Sequence, residues 1–461
     1  MKKRILCIYP AYKINGVKKV VKNLYYGNND LLGDFEIKLI GIWYDQKYEY
    51  VDPSTFKIVE TIGNEEGKIP SEIKETVKRK IIDVIYNFEP SLIHLNTFAI
   101  DNEVLKEIIK YKERSKAKII STVHSLAYQD FCTNPKNSKI FEISKEFIKE
   151  ILESSEIIHS SDNKKDLLYN LCKKYARHID LSKILNLLDI TTYFIKLQNT
   201  IFKISDVIVF VSPFLQRSAY EFGYLKDIIK GKDMVIENGV SMYETYEKNR
   251  ELIQKISRRK RIEEELYGKF VIGYVGRIEE QKGVKDLLYV FENLVKKEKL
   301  KNLALILCGP RDWETYNEIA VRYGDIFGDH FLLGEYVWFI KEDELPSPLT
   351  YEGEMEMAVY YDLFDITVVP SYFETFGLVP LESVSCYTPS IVRRVSNLET
   401  FVRKGIVDGF NSKDELEKLL LSHIFKEKEI NIEEKREIVK KDYSVERMRN
   451  NYETLINRLY D

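Results

Sequence analysis

Short apolar segments alternate with longer amphipathic stretches along most of this 461-residue chain. The apolar segments predict buried strands, and the stretches between them, with apolar residues at helical spacing, predict helices. Because continuous apolar strands with long connections are typical of a parallel sheet covered on both faces, the pattern predicts an α/β fold. The candidate strands are 4–9, 37–42, 92–95, 117–123, 207–211 and 234–237, followed by 270–275, 303–308, 330–333, 366–369 and 390–392.

The strand pattern runs through the chain twice. Each series opens with an apolar strand, a polar loop and a Gly-Val-Lys triplet that enters a helix, with Gly16 in the first copy and Gly283 in the second. Between them, residues 248–269 are dense in charge and contain no long apolar run. We therefore expect two doubly wound, Rossmann-like domains. The predicted boundaries are 1–245 for the first domain, with a helical insert at 130–204; 246–268 for a charged linker; 269–443 for the second domain, with a polar insert at 336–356; and 444–461 for a C-terminal helix.

Composition limits the class of protein. The chain is 44% hydrophobic and 31% charged, which excludes a disordered, collagen-like or disulfide-scaffold protein. Seventy basic residues against 73 acidic ones give a net charge of −3, so no overall field attracts nucleic acid. No apolar run approaches the roughly 20 residues that cross a bilayer, and the first residues predict a strand instead of a signal peptide. Five scattered cysteines without a C-x-x-C pair favour a reducing, cytoplasmic location and no zinc site.

The segment 370–385, PSYFETFGLVPLESVS, carries the strongest candidate chemistry. It follows a strand and enters a helix, and ligands of open α/β sheets bind at the carboxyl ends of strands. Glu374 in the loop and Glu382 in the helix are carboxylates that can accept both hydroxyls of a vicinal diol, from ribose or from a hexose. Gly377 allows close approach of the main chain, and a helix N-terminus favours phosphate. The alternative is a pair of solvated surface glutamates.

A second segment, YVGRIEEQKG at 274–283, supplies two cations. Arg277 ends a strand, and Lys282 stands at the entrance to the next helix. Together with that helix N-terminus, they can balance the roughly two negative charges of a diphosphate. The sequence contains no D-x-D triplet, the pair that commonly holds the divalent ion of metal-dependent sugar-nucleotide transferases. The combination predicts a site that needs no metal, and the alternative is a solvated arginine and lysine at a helix start.

These segments, in this order, resemble the retaining glycosyltransferases of family 4, which have the GT-B fold. The resemblance extends over most of the chain apart from the two inserts. It implies a hexosyltransferase with two Rossmann-like domains facing across a cleft, and a terminal helix that crosses back to the first domain. The motifs that carry it are GYVGR…EEQKG, ALILCGP, FLLGEYV and FDITVVPSYFETFGLVPLES in the second half, and INGVKKVV, TVHSLA, SDVIVFVSPFLQ and VIENGV in the first.

The resemblance also implies roles for individual residues. Arg277 and Lys282 would hold the diphosphate of a nucleotide-sugar donor. Glu382 would accept the ribose hydroxyls, and Glu374 would contact the transferred sugar. The remaining donor-site positions that it implies are Gly16, Gly309, Tyr336, Val337, Phe376, Gly377 and Leu378.

One histidine completes the implied catalytic set of Glu374, His124, Arg277 and Lys282. His124 ends the predicted strand KIISTVH, so it lies on the ligand-binding side, and in the family a histidine at this place faces the reacting sugar. A lone histidine is more often a satisfied core residue, which is the alternative here. His94, in SLIHLN, is a similar strand-end histidine with a weaker case.

Two departures from the family pattern predict a reshaped donor pocket. Tyr387 stands where a glycine is usual after the second glutamate, and Ser396-Asn397-Leu398 replaces a Gly-Gly loop. A side chain in place of glycine narrows a site and restricts the main chain. These departures keep open a non-catalytic glycosyltransferase-like subunit that binds a partner protein. A sugar phosphorylase on the same fold is the other alternative.

The expected reaction needs no cofactor beyond the nucleotide-sugar substrate, because the departing diphosphate can itself take the proton of the acceptor. For the acceptor, a sugar, phospho-sugar, lipid or glycan, the N-terminal segment offers a cluster of cations. We expect this cluster to meet an anionic acceptor or the anionic headgroups of the inner membrane face, and the alternative is a solvated helix face. Its members are Lys13, Lys18, Lys19 and Lys22.

Overall fold

The computed structural model describes two compact units, each built around a parallel β-sheet. The first unit comprises Met1–Glu237 with Asn450–Asp461, and the second comprises Asn238–Arg449. Of the predicted charged linker at 246–268, residues 246–265 lie outside the described residues. The described residues are 3–10, 16–25, 35–42, 47–52, 57–62, 71–96, 100–127, 194–221, 226–242, 266–300, 302–309, 319, 337–340, 358, 360–427 and 429–460.

The first unit is a six-stranded sheet in the order β2-β1-β5-β6-β7-β8, with every neighbouring pair parallel. A separate antiparallel pair, β3-β4, was not predicted from the sequence. The strands are β1 (Lys3–Pro10), β2 (Phe35–Ile42), β3 (Lys47–Asp52), β4 (Lys57–Ile62), β5 (Leu92–Leu95), β6 (Lys118–Val123), β7 (Val207–Phe210) and β8 (Asp233–Val235). The helices are α1 (Gly16–Tyr25), α2 (Ser71–Phe88), α3 (Asn102–Ser115), α4 (194–204), α5 (Pro213–Glu221) and α6 (Lys226–Ile229).

The second unit repeats this plan, with a parallel sheet in the order β11-β10-β9-β12-β13-β14. Its strands are β9 (Phe270–Val275), β10 (Leu303–Cys308), β11 (Val337–Ile340), β12 (Ile366–Val369), β13 (Ser390–Arg393) and β14 (Asp408–Phe410). Its helices are α7 (Val284–Lys296), α8 (Leu378–Ser385), α9 (Leu398–Arg403), α10 (Lys413–Ile424) and α11 (Ile432–Tyr443), and a 3₁₀ turn spans Glu280–Lys282. The helix α12 (Val445–Arg458) closes the chain.

The predicted polar insert at 336–356 is wrong at its start, because β11 begins at Val337 and pairs with β10. The apolar run VWFI was too short to separate from its polar surroundings. The candidate strand at 330–333 and most of the helical insert at 130–204 lie outside the described residues.

Apolar burial on both faces holds the second sheet in place. Every residue of β10 is buried, and Leu287 and Phe291 of α7 pack into the same core. Strands that are covered on both faces read as continuous apolar runs, which is why LALILC and ITVV were recognisable in the sequence. The sheet thereby fixes the carboxyl ends of β9, β10 and β12, from which the candidate site is built.

The end of the chain is anchored at both of its borders. Val240 donates from its main-chain N to the Tyr443 carbonyl (2.8 Å), and Val445 N donates to the Val240 carbonyl (3.2 Å). Ser444 Oγ accepts from Arg447 N (3.2 Å) and so caps the start of α12. Beyond Arg449 the chain belongs to the first unit, where Tyr452 Oη hydrogen-bonds Thr122 Oγ1 (2.8 Å).

Candidate functional site

The centre of the candidate site is an ion pair between Lys282 and Glu374. Lys282 Nζ lies 2.6 Å from Glu374 Oε1, and each side chain is 19% exposed. Ser371, which is buried, donates from Oγ to the same oxygen over 2.9 Å. Within the described residues the second oxygen, Oε2, has no hydrogen-bond partner. An ammonium group and an acceptor-only carboxylate oxygen are therefore presented side by side.

The loop that carries Glu374 is tied to the turn that carries Lys282. Tyr372 N donates to the Gln281 carbonyl over 3.0 Å. Gly283 has a φ of 70°, and a Cβ on it would lie 2.1 Å from the Pro370 carbonyl oxygen. Only glycine therefore allows the two loops to approach this closely.

Arg393 links the loop that carries Glu374 to the start of α7. Its Nε donates to the Pro370 carbonyl over 3.0 Å, and its Nη2 donates to Asp286 Oδ2 over 2.6 Å. Tyr372 Oη donates to that carboxylate oxygen as well, over 2.7 Å. Arg393 ends β13 and Asp286 lies in the first turn of α7, so this network joins the sheet, the helix and the loop. The geometry at Glu374 is therefore built on the core.

The helix α8 begins directly after the loop, and its N-terminus is open. Gly377 is the N-cap residue, with a φ of 92° and no side chain to bond the first amides. A Cβ on Gly377 would lie 2.6 Å from Leu398 Cδ2. Phe376 packs its ring on Phe401 and Tyr443, with centroids 5.8 and 6.1 Å apart. Leu378 is partly exposed and Gly377 offers its amide no capping side chain, as an anion site requires.

Asn397, part of the segment that replaces a Gly-Gly loop, supports the loop that carries Glu374. It is fully buried, donates from its main-chain N to the Glu374 carbonyl (3.3 Å) and donates from Nδ2 to the Phe376 carbonyl (2.9 Å). Its Oδ1 is buried without a partner in the described part of the chain. Ser396, just before it, has a φ of 50°, the left-handed conformation that glycine adopts most easily. The Ser-Asn-Leu segment therefore keeps the main-chain conformation that glycine favours, and Asn397 adds hydrogen bonds that hold the loop.

The other departure, Tyr387, does not reshape the site. It follows the C-terminal end of α8 with a φ of 65°, and Arg436 of α11 lies over its ring at 4.1 Å. Gly377 lies at the opposite end of this helix, about 12 Å away at 1.5 Å per residue. The prediction that Tyr387 narrows the pocket is wrong, because the direction of α8 carries the residue away from the loop.

Glu382 lies inside α8 and is buried. Tyr361 donates from Oη to Glu382 Oε2 over 2.8 Å, so a neighbouring phenol holds one carboxylate oxygen. Arg277 is placed differently: its side chain is 59% exposed and pairs with Glu279 Oε2 at 3.0 Å. Tyr274 Oη donates to the Arg277 carbonyl over 2.5 Å, which holds the main chain that carries the exposed guanidinium. To reach a ligand, Arg277 would exchange its ion pair with Glu279, whose side chain is 21% exposed.

The remaining donor-site predictions divide. Gly309 follows β10 with a φ of 146°, and a Cβ there would lie 1.9 Å from the Gly276 carbonyl oxygen, so this glycine lets two strand ends pack together. Val337 pairs with Leu305 at the amino end of β11, about 10 Å along the strand from the carboxyl edge. The structure thus does not bring Val337 to that edge. Tyr336 lies outside the described residues.

The first unit carries His124 and its partner Asn96, at the carboxyl ends of β6 and β5. His124 Nε2 lies 3.2 Å from Asn96 Oδ1, and Asn96 Nδ2 donates to Cys7 Sγ over 3.4 Å. Removal from solvent lowers the pKa of His124 to about 3, so the imidazole is neutral near pH 7. This arrangement places the ring proton on Nε2.

His94 is a core residue. It is fully buried, with Nε2 2.7 Å from Thr122 Oγ1 and Nδ1 2.5 Å from Tyr25 Oη. Burial, with a smaller contribution from the charge of His124, lowers the pKa of His94 to about 3. Since both of its ring nitrogens have hydrogen-bond partners, His94 is a structural residue and not a ligand-binding one.

The predicted N-terminal site residues that the structure describes belong to α1. Gly16 begins this helix, which also contains Lys18, Lys19 and Lys22, whereas Lys13 lies outside the described residues. Among the helices that the structure describes, none is both long and apolar enough to cross a bilayer. No three carboxylate, histidine or cysteine side chains of the described ranges converge as a metal site would require.

The part of the chain that carries this site is similar to a known family of proteins. Residues 256–442 match the family described as Glycosyl transferases group 1. This segment lies within the second unit and is called the group 1 domain below, because of its similarity to that family. Arg277, Lys282, Glu374 and Glu382 all lie within the group 1 domain, as do the loop and helix that hold them.

The sequence similarity to a curated relative is confined to part of each protein. D-inositol 3-phosphate glycosyltransferase from Corynebacterium jeikeium is 32% identical over 148 residues, which are 31% of this chain and 33% of that protein. The match thus spans about a third of the length of the relative.

Two solved structures extend the likeness to the whole fold. Sucrose-phosphate synthase from Thermosynechococcus elongatus aligns with a TM-score of 0.59 and 17% identity, covering 99% of both chains. Anabaena HepE in complex with UDP-glucose aligns with a TM-score of 0.59 and 14% identity, covering 98% of this chain and 99% of that one. The predicted α/β class, with two Rossmann-like domains of GT-B type, is confirmed.

Proposed function

We propose that this protein is a retaining, metal-independent hexosyltransferase, which transfers a hexosyl unit from a nucleotide-sugar to a sugar, phospho-sugar, lipid or glycan acceptor. One observation carries the proposal: Lys282 and Glu374 lie 2.6 Å apart beside the open N-terminus of α8, within the group 1 domain. A donor has its anionic diphosphate directly beside the hydroxyls of its sugar. Lys282 would bind the diphosphate and Glu374 would accept from the sugar hydroxyls, and the two side chains are adjacent as these two parts of the donor are.

The diphosphate would be held without a metal. Lys282 pairs with Glu374 in the site, the exposed side chain of Arg277 would exchange Glu279 for a phosphate, and Gly377 offers no capping side chain to the first amides of α8. Two cations and a helix N-terminus offset roughly two negative charges. They would also stabilise the charge that grows on the diphosphate as the glycosidic bond breaks.

Retention follows from the path of the proton. The departing diphosphate oxygen takes the proton of the acceptor hydroxyl while the acceptor oxygen bonds to the anomeric carbon on the same face. The protein then supplies orientation and charge stabilisation, and no side-chain base is required. In the first unit, neutral His124 would accept a hydrogen bond from a substrate hydroxyl through Nδ1, since Nε2 faces Asn96.

The names of the similar proteins support the substrate class. HepE was solved with UDP-glucose, and the Corynebacterium relative is named for D-inositol 3-phosphate. We propose a nucleotide hexose as donor and a phosphorylated polyol or sugar as the acceptor to try first. The lysines of α1 would meet an anionic acceptor or anionic headgroups, at a cytoplasmic location.

The test compares Glu374→Gln with wild type in binding and in turnover. The variant should bind free nucleoside diphosphate within about threefold of wild type, because the diphosphate contacts are cationic and the loop is held by Arg393 and Asn397. Its turnover with the nucleotide sugar should fall at least a hundredfold, the order expected when a polar contact to the reacting sugar is lost. Lys282→Met is the matched variant and should weaken the binding of the nucleoside diphosphate itself. Equal turnover in Glu374→Gln and wild type would refute the assignment.

A further inference from the structure

The two hydrogen-bond donors of the Glu374 carboxylate point to one of its oxygens. Lys282 Nζ and Ser371 Oγ both approach Oε1, at 2.6 and 2.9 Å. A carboxylate that is bonded through one oxygen by two donors from different directions has its plane fixed. Its other oxygen, Oε2, is then presented in one direction, and within the described residues it has no partner.

Ser371 and Lys282 differ in what happens when a diphosphate arrives. Lys282 has a flexible stem, and a diphosphate competes with Glu374 for its ammonium group. Ser371 is buried and follows Pro370, whose carbonyl is held by Arg393 at 3.0 Å. The serine hydroxyl therefore stays on Oε1 when the lysine turns to the phosphates, and the carboxylate keeps its orientation.

We propose that Ser371 is a positioning residue that aims Glu374 Oε2 at one hydroxyl of the transferred sugar, and that this contact sets donor specificity. The proposal rests on the nucleotide-sugar site proposed above. Because an ionised carboxylate only accepts hydrogen bonds, the sugar must offer a donor at that place. A sugar without that hydroxyl leaves the oriented oxygen unpaired in a partly buried site and is disfavoured.

The experiment is a cycle between protein variants and donor analogues. Nucleotide hexoses that each lack one hydroxyl are compared with the complete donor, in wild type and in Ser371→Ala. In wild type, one deoxy position should cost about tenfold to a hundredfold in kcat/KM, as a hydrogen bond to a charged group does. In Ser371→Ala, the complete donor should lose about tenfold, and the same deoxy analogue should differ from it by less than about threefold.

Three controls separate positioning from a general structural effect. Ser390→Ala removes another buried hydroxyl, one without a partner in the described part of the chain, and should behave as wild type. Ser371→Thr keeps the hydroxyl and should restore discrimination among the analogues. Free nucleoside diphosphate, which has no sugar for Glu374 to contact, should bind Ser371→Ala as it binds wild type.

The outcomes are distinct. Equal losses for every analogue in Ser371→Ala, or no loss for any, would overturn the positioning role while leaving the proposed transfer intact. A wild-type protein that binds no nucleotide sugar would remove the proposed function and this inference with it. If Ser371→Ala does not fold, Ser371→Cys, with a weak donor of similar size, carries the same expectation.

Discussion

At the residue scale, the hydrogen-bond partners of a polar side chain indicate whether it is a core residue or can bind a ligand. Glu374 has one oxygen bonded twice and the other without a partner among the described residues, so it is set up for a further donor. His94 has both ring nitrogens engaged inside the core and can take no ligand. The same test separates two histidines that look alike in sequence, since only His124 follows the end of a strand and is a partly exposed residue.

His94 predicts a dependence of stability on pH. Its pKa is about 3 in the folded protein, while a histidine in the unfolded chain titrates near 6.5. Between these values the unfolded state binds more protons, so the free energy of unfolding falls as pH decreases below 6.5, by up to about 1.4 kcal/mol per pH unit from this residue. His94→Gln keeps a hydrogen-bonding side chain and removes the titration.

Urea unfolding at pH 7 and pH 5 measures this effect. Wild type should lose roughly 2 kcal/mol more than His94→Gln between the two values, because the interval contains about one and a half units below 6.5. His124→Gln is the comparison: burial lowers the pKa of His124 to about 3 as well, so this variant should lose a similar part of the pH dependence. An identical pH dependence in wild type and His94→Gln would show that His94 is not held neutral in the core.

At the element scale, the helix α8 and the loop before it act as one unit with two roles. The N-terminal end carries Gly377 and the open amides, and the C-terminal end carries Tyr387 against Arg436. Asn397 and Arg393 attach the loop to α9 and β13, so the position of Glu374 depends on elements that contact no ligand. Substitutions in these supports should therefore alter ligand binding from a distance.

Gly377→Ala tests this coupling. The residue has a φ of 92°, which strains an alanine, and the added methyl would lie 2.6 Å from Cδ2 of the buried Leu398, so that side chain must move. We expect a stability loss of about 2 kcal/mol or more and nucleotide binding weakened at least tenfold. Thermal unfolding and titration with nucleoside diphosphate measure the two effects.

Gly405→Ala is the matched control. Gly405 has a φ of 72°, but a Cβ there meets nothing within 4 Å, so the change adds backbone strain without a clash. It should cost only about 1 kcal/mol and leave nucleotide binding unchanged. If Gly405→Ala weakens nucleotide binding as much as Gly377→Ala does, general destabilisation and not the position of α8 explains the loss.

At the scale of the whole molecule, much of the fold follows from the sequence. Buried parallel strands such as LALILC are continuous apolar runs, so both sheets were predictable. The pairing order and the β3-β4 hairpin depend on contacts between distant segments, and local patterns do not encode these. β11 is a four-residue strand beside polar sequence and carried too little signal.

The candidate site was predictable to the extent that its chemistry is charged. Arg277, Lys282 and Glu374 were found because they flank strand ends, and the structure joins the last two directly. Ser371 and Asn397 are common loop residues whose roles appear only once their hydrogen bonds are known. The prediction for Tyr387 was wrong because it rested on the residue type at one position, whereas Tyr387 follows the end of α8 that lies away from the loop.

Retaining, metal-independent transfer is tested by the anomeric configuration of the product, followed by NMR in buffer with EDTA. Nucleotide hexoses of each common base are offered with phosphorylated polyol and sugar acceptors, and with free phosphate. We expect transfer from one donor, with the configuration of the donor retained and turnover unaffected by the chelator. Inverted product, turnover that depends on added metal, or sugar phosphate formed only with free phosphate would contradict it.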